Sequence, residues 1–244
     1  MERLEALPED WNRALAVVAH PDDMEYGSAA AVARWTGQGK HITYCMVTSG
    51  EAGIDGLTPA EAGPLREQEQ LAACAAVGVS ECDFLRLPDG ILEYGVPLRR
   101  TLAEVVRRHR PEIVLTINFR DTFGGAMLNQ ADHIAVGKAL LDAVRDAGNR
   151  WIFPEQLVDG LEPWGGVRAV WAGGSPQANH AVDITESFDA GVASLEAHRA
   201  YIDGLGWEGW DAREFLEGIA RQAGQRFDAP LAVAFEVLPL GWGG

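Results

Sequence analysis

Cysteine is scarce in this chain. Cys45, Cys74 and Cys82 make an odd set with no C-x-x-C pair. That excludes a disulfide framework and a cysteine-built metal site, and fits reduced thiols in a cytoplasmic protein. Basic residues are few as well: Lys and Arg total 20 against 36 Asp and Glu, a formal net charge of -16. A field of that sign repels phosphate backbones and anionic bilayers, so nucleic acid and membrane surfaces are poor partners. No apolar run approaches the ~20 residues that span a bilayer. The acidic opening MERLEALPEDWNR lacks the basic and apolar regions of a secretory signal, so a cytoplasmic location is expected. Internal repeats, low-complexity tracts and linkers are also missing, and one domain over residues 1–244 is the simplest reading.

Short apolar runs alternate with helical patterns. Ala14 to Ala19 is a continuous apolar run, as in a strand buried on both faces. A small-residue helix is expected over Glu25 to Thr36, with a second strand over His41 to Thr48. Ser49 to Pro64 reads as a Gly-rich loop, Leu65 to Val77 as a helix, Asp83 to Leu87 as a strand and Pro88-Asp89-Gly90 as a turn. Val96 to His109 reads as a helix stopped before Pro111, and Glu112 to Ile117 as another buried strand. After a long loop from Asn118 to Asp132, a helix covers His133 to Ala147. Further on, strands are expected over Val167 to Ala172 and Leu231 to Val237, and helices over Thr185 to Leu205 and Arg213 to Gln222. The alternation implies a Rossmann-like α/β fold, a mostly parallel sheet with helices on both faces. Sites in such sheets gather beyond the carboxyl ends of the strands.

The first long strand runs directly into His20-Pro21-Asp22-Asp23. Adjacent carboxylates at the end of a buried strand repel each other, and a divalent cation removes that cost. His20 and Asp23 are three residues apart on a strand-to-helix turn and can share one ion. Asp22 then lies beside the ion, where a general base for a water molecule belongs. His133, at the end of the loop that follows Glu112 to Ile117, supplies a third ligand from the same sheet edge. Two imidazoles and one carboxylate suit Zn2+, and also iron, cobalt or manganese. Asp132 either caps its helix or orients a ligand histidine. His198 falls on the late helix, where an exposed histidine and a site role weigh equally.

The segment AVVAHPDDMEYG resembles the opening motif of the LmbE-like, or PIG-L, de-N-acetylases. The resemblance continues through Thr48-Ser49-Gly50-Glu51-Ala52-Gly53, through Arg66 and Glu69, and through Pro88-Asp89-Gly90. It extends to Ala131-Asp132-His133 with Ala135-Val136-Gly137, and to the late Val182-Asp183-Ile184 and Ala197-His198. It implies the LmbE-like deacetylase fold and a zinc hydrolase that removes an N-acetyl group from an N-acetylglucosamine-like conjugate. Carried over, His20, Asp23 and His133 are the metal ligands and Asp22 is the base; Glu51, Arg66 and Asp89 are substrate-side groups.

Two departures stand out. Gln130 occupies the place where relatives have a histidine that polarises the substrate carbonyl, so Gln130 or His198 is expected to serve the oxyanion. Gly191 stands where many relatives carry lysine, which implies a missing substrate contact or ion pair. The alternatives are an amidase acting on a larger thiol- or sugar-conjugate amide, and a catalytically weak sugar- or metal-binding protein. Self-association into a homo-oligomer stays open.

Overall fold

The computed structural model describes residues 2–125, 127–158, 160–207 and 209–241. In chain order its elements are β1 (Glu5–Ala6), β2 (Arg13–Val18), α1 (Ala29–Gly37), β3 (His41–Met46), α2 (Pro59–Ala76), β4 (Glu81–Phe84), α3 (Val96–His109) and β5 (Ile113–Ile117). They continue with α4 (Ala131–Gly148), α5 (Glu155–Val158), β6 (Ala169–Gly173), β7 (His180–Asp183), α6 (Phe188–Glu196), α7 (Arg199–Gly204), α8 (Ala212–Phe227) and β8 (Ala232–Pro239). The sheet order is β1-β7-β8-β6-β5-β2-β3-β4, with β8 antiparallel to both of its neighbours and the other pairs parallel.

β2 is apolar at every position after Arg13 because both of its faces are covered. Ala14, Ala16 and Val18 join one core with Trp11, Trp35, Trp171 and Phe235, while Leu15 and Val17 join a second core with Leu102, Val106, Leu140 and Val144. The period of two along a strand sends alternate residues to opposite layers. β2 also sits where the strand order reverses, with β3 on one side and β5 on the other. The chain leaving β2 and the chain leaving β5 therefore diverge from adjacent strand ends and open a crevice between them.

Several boundaries differ from the sequence reading. α2 begins at Pro59 rather than Leu65, because Thr58 and Glu61 form a reciprocal capping box. Pro64 is carried inside that helix and ends nothing. The expected long helix over Thr185 to Leu205 is two helices, α6 and α7, broken around Ala197 and His198. β7 reads weakly in the sequence because it has only four residues, two of them the polar His180 and Asp183.

Gly191 has a packing explanation. α6 crosses α1 so closely that a Cβ at Gly191 would lie 2.7 Å from the Ala30 Cβ and 2.9 Å from the Ala30 backbone nitrogen. A lysine stem there would have to part the two helices, so close helix contact accounts for the glycine, which also lines the cavity. Gly191→Ala should destabilise the fold by about 1–3 kcal/mol through overpacking. Chemical denaturation measures this, and an unchanged midpoint would refute the tight contact.

Candidate metal centre and active site

The turn that follows β2 solves an electrostatic problem by sending two neighbouring carboxylates in different directions. Asp22 adopts φ 91°, a conformation rare for a residue with a Cβ. Its amide donates to Gln70 Oε1 at 2.9 Å, and its Oδ2 accepts from Arg66 Nη2 at 2.9 Å. Arg66 also donates to the Pro21 and Gly50 carbonyls, and its guanidinium lies 4.0 Å from the centre of the Tyr201 ring. Burial pushes the Asp22 carboxyl up to about 7, with Arg66 opposing the rise and Asp23 adding to it. Asp22 Oδ1 has no hydrogen-bond partner among the described residues, and Asp22 lines the cavity.

Asp23 turns toward the histidines. Its Oδ2 accepts from the His20 amide at 2.8 Å. Its Oδ1 lies 3.0 Å from His133 Nε2 and 3.7 Å from His20 Nδ1. His20 Nδ1 and His133 Nε2 are 3.2 Å apart. His133 Nδ1 faces Asn129 Oδ1 at 2.8 Å, an acceptor, so Nδ1 carries the proton and Nε2 presents a lone pair. His20 Nε2 faces two carboxylates, Asp132 Oδ2 at 3.3 Å and Asp89 Oδ1 at 3.1 Å. Its proton therefore belongs there, and Nδ1 presents a second lone pair.

Two lone pairs and a carboxylate oxygen pointed at one another repel unless a cation or proton stands between them. A tetrahedral ion with bonds of about 2.0–2.1 Å sets its donors roughly 3.3 Å apart. The three observed separations of 3.0, 3.2 and 3.7 Å bracket that spacing. The donor set fits a divalent transition metal in chemistry as well as in spacing. Electrostatics agree. Burial works to lower the His20 pKa, but Asp23, Asp132 and Asp89 outweigh it and raise it well above the usual histidine range. Burial works to raise Asp23, but His133 and His20 hold its carboxyl low. Surroundings that hold a proton this firmly also attract a metal cation.

Asp132, Asp89, Glu51, Arg66 and Gln130 lie around this centre in different settings. Asp132 accepts from the Gly90 and Leu92 amides at 2.7 and 3.0 Å as well as facing His20, the arrangement expected of a histidine-orienting carboxylate. Asp89 faces His20, accepts from the Ala52 amide at 2.8 Å and lines the cavity. Glu51 accepts from the Asp89 and Ser49 amides at 3.0 and 3.2 Å, so it holds the Pro88-Asp89-Gly90 turn from behind. Arg66 lines the cavity but is only 2% exposed, with Nη1 and Nη2 committed to Asp22 and to backbone. Gln130 lines the cavity at the start of α4 and makes no side-chain cap there.

His198 is not brought to the metal donors. It is fully buried, neither ring nitrogen has a hydrogen-bond partner among the described residues, and Nε2 lies 3.9 Å from Glu25 Oε2. Burial, reinforced by Arg66, pushes it down to about 3, so it is neutral and carries no charge to offer an oxyanion. Asn118, Phe123, Met127 and Gln130 line the cavity, so the loop before α4 forms one of its walls; residue 126 lies outside the described residues.

Three contributors escaped the sequence reading. Asn129 has a usable signal, since it precedes His133 by four residues and faces it across the first turn of α4. Gln70 and Tyr201 have none, because their contacts with Asp22 and Arg66 join distant parts of the chain.

Fold and site together define an α/β protein with a candidate divalent-metal centre between the ends of β2 and β5. Comparison with known proteins then gives its kinship. The family model described as PIG-L, GlcNAc-PI de-N-acetylase, matches residues 15–144, more than half of the chain, and the protein belongs to that family. Diacetylchitobiose deacetylase of Thermococcus kodakarensis is 27% identical over 218 residues, covering 88% of this chain and 79% of its own. The structure of N,N'-diacetylchitobiose deacetylase from Pyrococcus horikoshii superposes with a TM-score of 0.86 at 22% identity, over 95% of this chain and 85% of that one. A 4-carboxy-2-hydroxymuconate hydratase from Pseudomonas putida, GalB, shares the fold at a TM-score of 0.75 and 20% identity, over 96% of this chain and 99% of that one.

Removing donors tests the centre. His20→Ala should abolish stoichiometric binding of a divalent ion, and Asp132→Asn should weaken it by roughly 10–100-fold while leaving the site intact. Metal analysis after dialysis and competition with a chelator reads both, and full occupancy in His20→Ala would remove His20 from the ligand set.

Proposed function

We propose that this protein is a metal-dependent amide hydrolase, zinc-loaded and cytoplasmic, that removes the acetyl group from an N-acetylglucosamine-like amino sugar. The observation that carries the reading is the convergence of His20 Nδ1, Asp23 Oδ1 and His133 Nε2 beside an Asp22 that is turned away from them. Similarity to diacetylchitobiose deacetylases supports the amino-sugar substrate. The fold alone does not choose the reaction, since a hydratase shares it.

A divalent ion held by His20, Asp23 and His133 would supply a Lewis acid and would lower the pKa of water at the site. The chain's own groups do the rest. Arg66 holds Asp22 Oδ2 and leaves Oδ1 toward the cavity, where it takes a proton from the attacking water. The C–N bond of the tetrahedral adduct then breaks, the proton passes from Asp22 to the leaving nitrogen, and acetate and the free amine result. Gln130 offers its side-chain amide to the acyl oxygen, a weaker donor than a protonated histidine because it bears no charge. Asp89 and the backbone around Ala52 and Gly53 meet the sugar.

Asp22→Asn should retain the metal and lose on the order of 10² or more in kcat. Amine release from N-acetylglucosaminides by metal-saturated enzyme measures it, with metal content determined on the same sample. Turnover near the unaltered rate in Asp22→Asn would overturn the base assignment. Absence of amine release from every N-acetyl amino sugar tested, at full metal occupancy, would overturn the reaction.

A further inference from the structure

The cavity that contains the metal donors is larger than one sugar needs. It measures about 910 Å3, near the top of the ~300–1,000 Å3 range of small-molecule sites. One end holds His20, Asp22, Asp23, Asp89, Gln130 and His133. The other is walled by Ala30 at the start of α1, by Ile184 just after β7, by Phe188 of α6 and by Leu216, Ile219 and Ala220 of α8. On α8, Leu216, Ile219, Ala220 and Ala223 recur at the spacing of one helical face, and all four line the cavity. Phe215 and Ile219 remain 38% and 45% exposed at its mouth.

Two polar groups at this second end are already engaged, and the α8 face of Leu216, Ile219, Ala220 and Ala223 offers no polar side chain. Ser175 donates to Glu236 at 2.6 Å, and Arg226 donates to the Glu2 and Ala178 carbonyls at 3.3 and 3.2 Å. A second sugar would lose its hydrogen bonds to water there and recover few, whereas an apolar group loses nothing. Tyr26 stands between the two ends. It follows Asp22 by four residues, its ring meets Phe215 edge-on at 5.9 Å, and its buried hydroxyl has no hydrogen-bond partner among the described residues.

We infer that the second end is a subsite for an alkyl or aryl group of about eight carbons, carried by the same substrate whose amide the metal centre cleaves. The Tyr26 hydroxyl hydrogen-bonds the polar linkage between that group and the sugar. The inference rests on the hydrolase reading for its chemistry and on the cavity for its geometry. The apolar group reaches the subsite either through the glycosidic oxygen or as a long acyl chain on the nitrogen, and the two sources are separable.

The test uses the full chain saturated with Zn2+ and three probes below their micellar concentrations: methyl N-acetylglucosaminide, octyl N-acetylglucosaminide and methyl N-octanoylglucosaminide. Each buried methylene is worth roughly a four-fold gain, so a half-buried octyl chain should raise kcat/KM by on the order of 10² over the methyl probe. The arm that gains identifies the source. Within Ile219→Gln and Phe215→Ser, both at partly exposed positions, the ratio of octyl to methyl kcat/KM should fall toward one; a ratio taken within one variant is independent of how much protein is folded. Calorimetric binding of the same probes runs in parallel. Turnover of all three at equal kcat/KM would overturn the subsite and leave the hydrolase reading standing. Tighter octyl binding that is lost in the variants, with no amine release, would uphold the subsite and reject the reaction. Equal binding without turnover would reject both.

Discussion

Everything at this site depends on housing two adjacent carboxylates at the buried end of β2. Asp22 and Asp23 are 4% and 8% exposed, and side by side in a low-dielectric interior neither could stay ionised without a partner. The backbone separates them through the positive φ of Asp22, and each then meets a different cation. Arg66 from α2 serves Asp22 and is spent in doing so. The space between Asp23, His20 and His133 is the proposed metal site. On the proposed reading, the strained turn is the means by which one carboxylate stays free to act as a base while its neighbour serves as a metal ligand.

A second ring of contacts makes that division rigid. Asp132 and Asp89 set the ring of His20, and Asn129 sets the ring of His133. The carboxylates are themselves held by backbone amides of Gly90, Leu92 and Ala52, while Glu51 ties the Asp89 turn to the loop after β3. Loops leaving β2, β3, β4 and β5 are in this way joined through a few buried acids. A net charge of -16 for the chain coexists with this arrangement because the acids at the centre are paired and directed.

The sequence displayed the parts whose signal is local. β2 was legible because a strand covered on both faces is apolar at consecutive positions, and His20, Asp22 and Asp23 were legible because they follow it without a break. His133 needed only the rule that loops on one sheet edge converge. What was illegible depended on partners far along the chain. Arg66 reads as a substrate group until its contact with Asp22, 44 residues away, is seen. His198 reads as part of one long helix, whereas the break between α6 and α7 buries it beside Glu25. The start of α2 was hidden by Pro64, although the Thr58 and Glu61 capping box announced it. The apolar stripe of α8 looks like ordinary core until the cavity beside it is seen.

X-ray absorption at the metal edge of purified, zinc-loaded protein bears most directly on the central claim, that His20, Asp23 and His133 hold one divalent ion. The account predicts a shell of nitrogen and oxygen at about 2.0–2.1 Å with no sulfur, and outer scattering from two imidazoles that drops to one in His133→Ala. A sulfur shell, or a spectrum unchanged by His133→Ala, would contradict it.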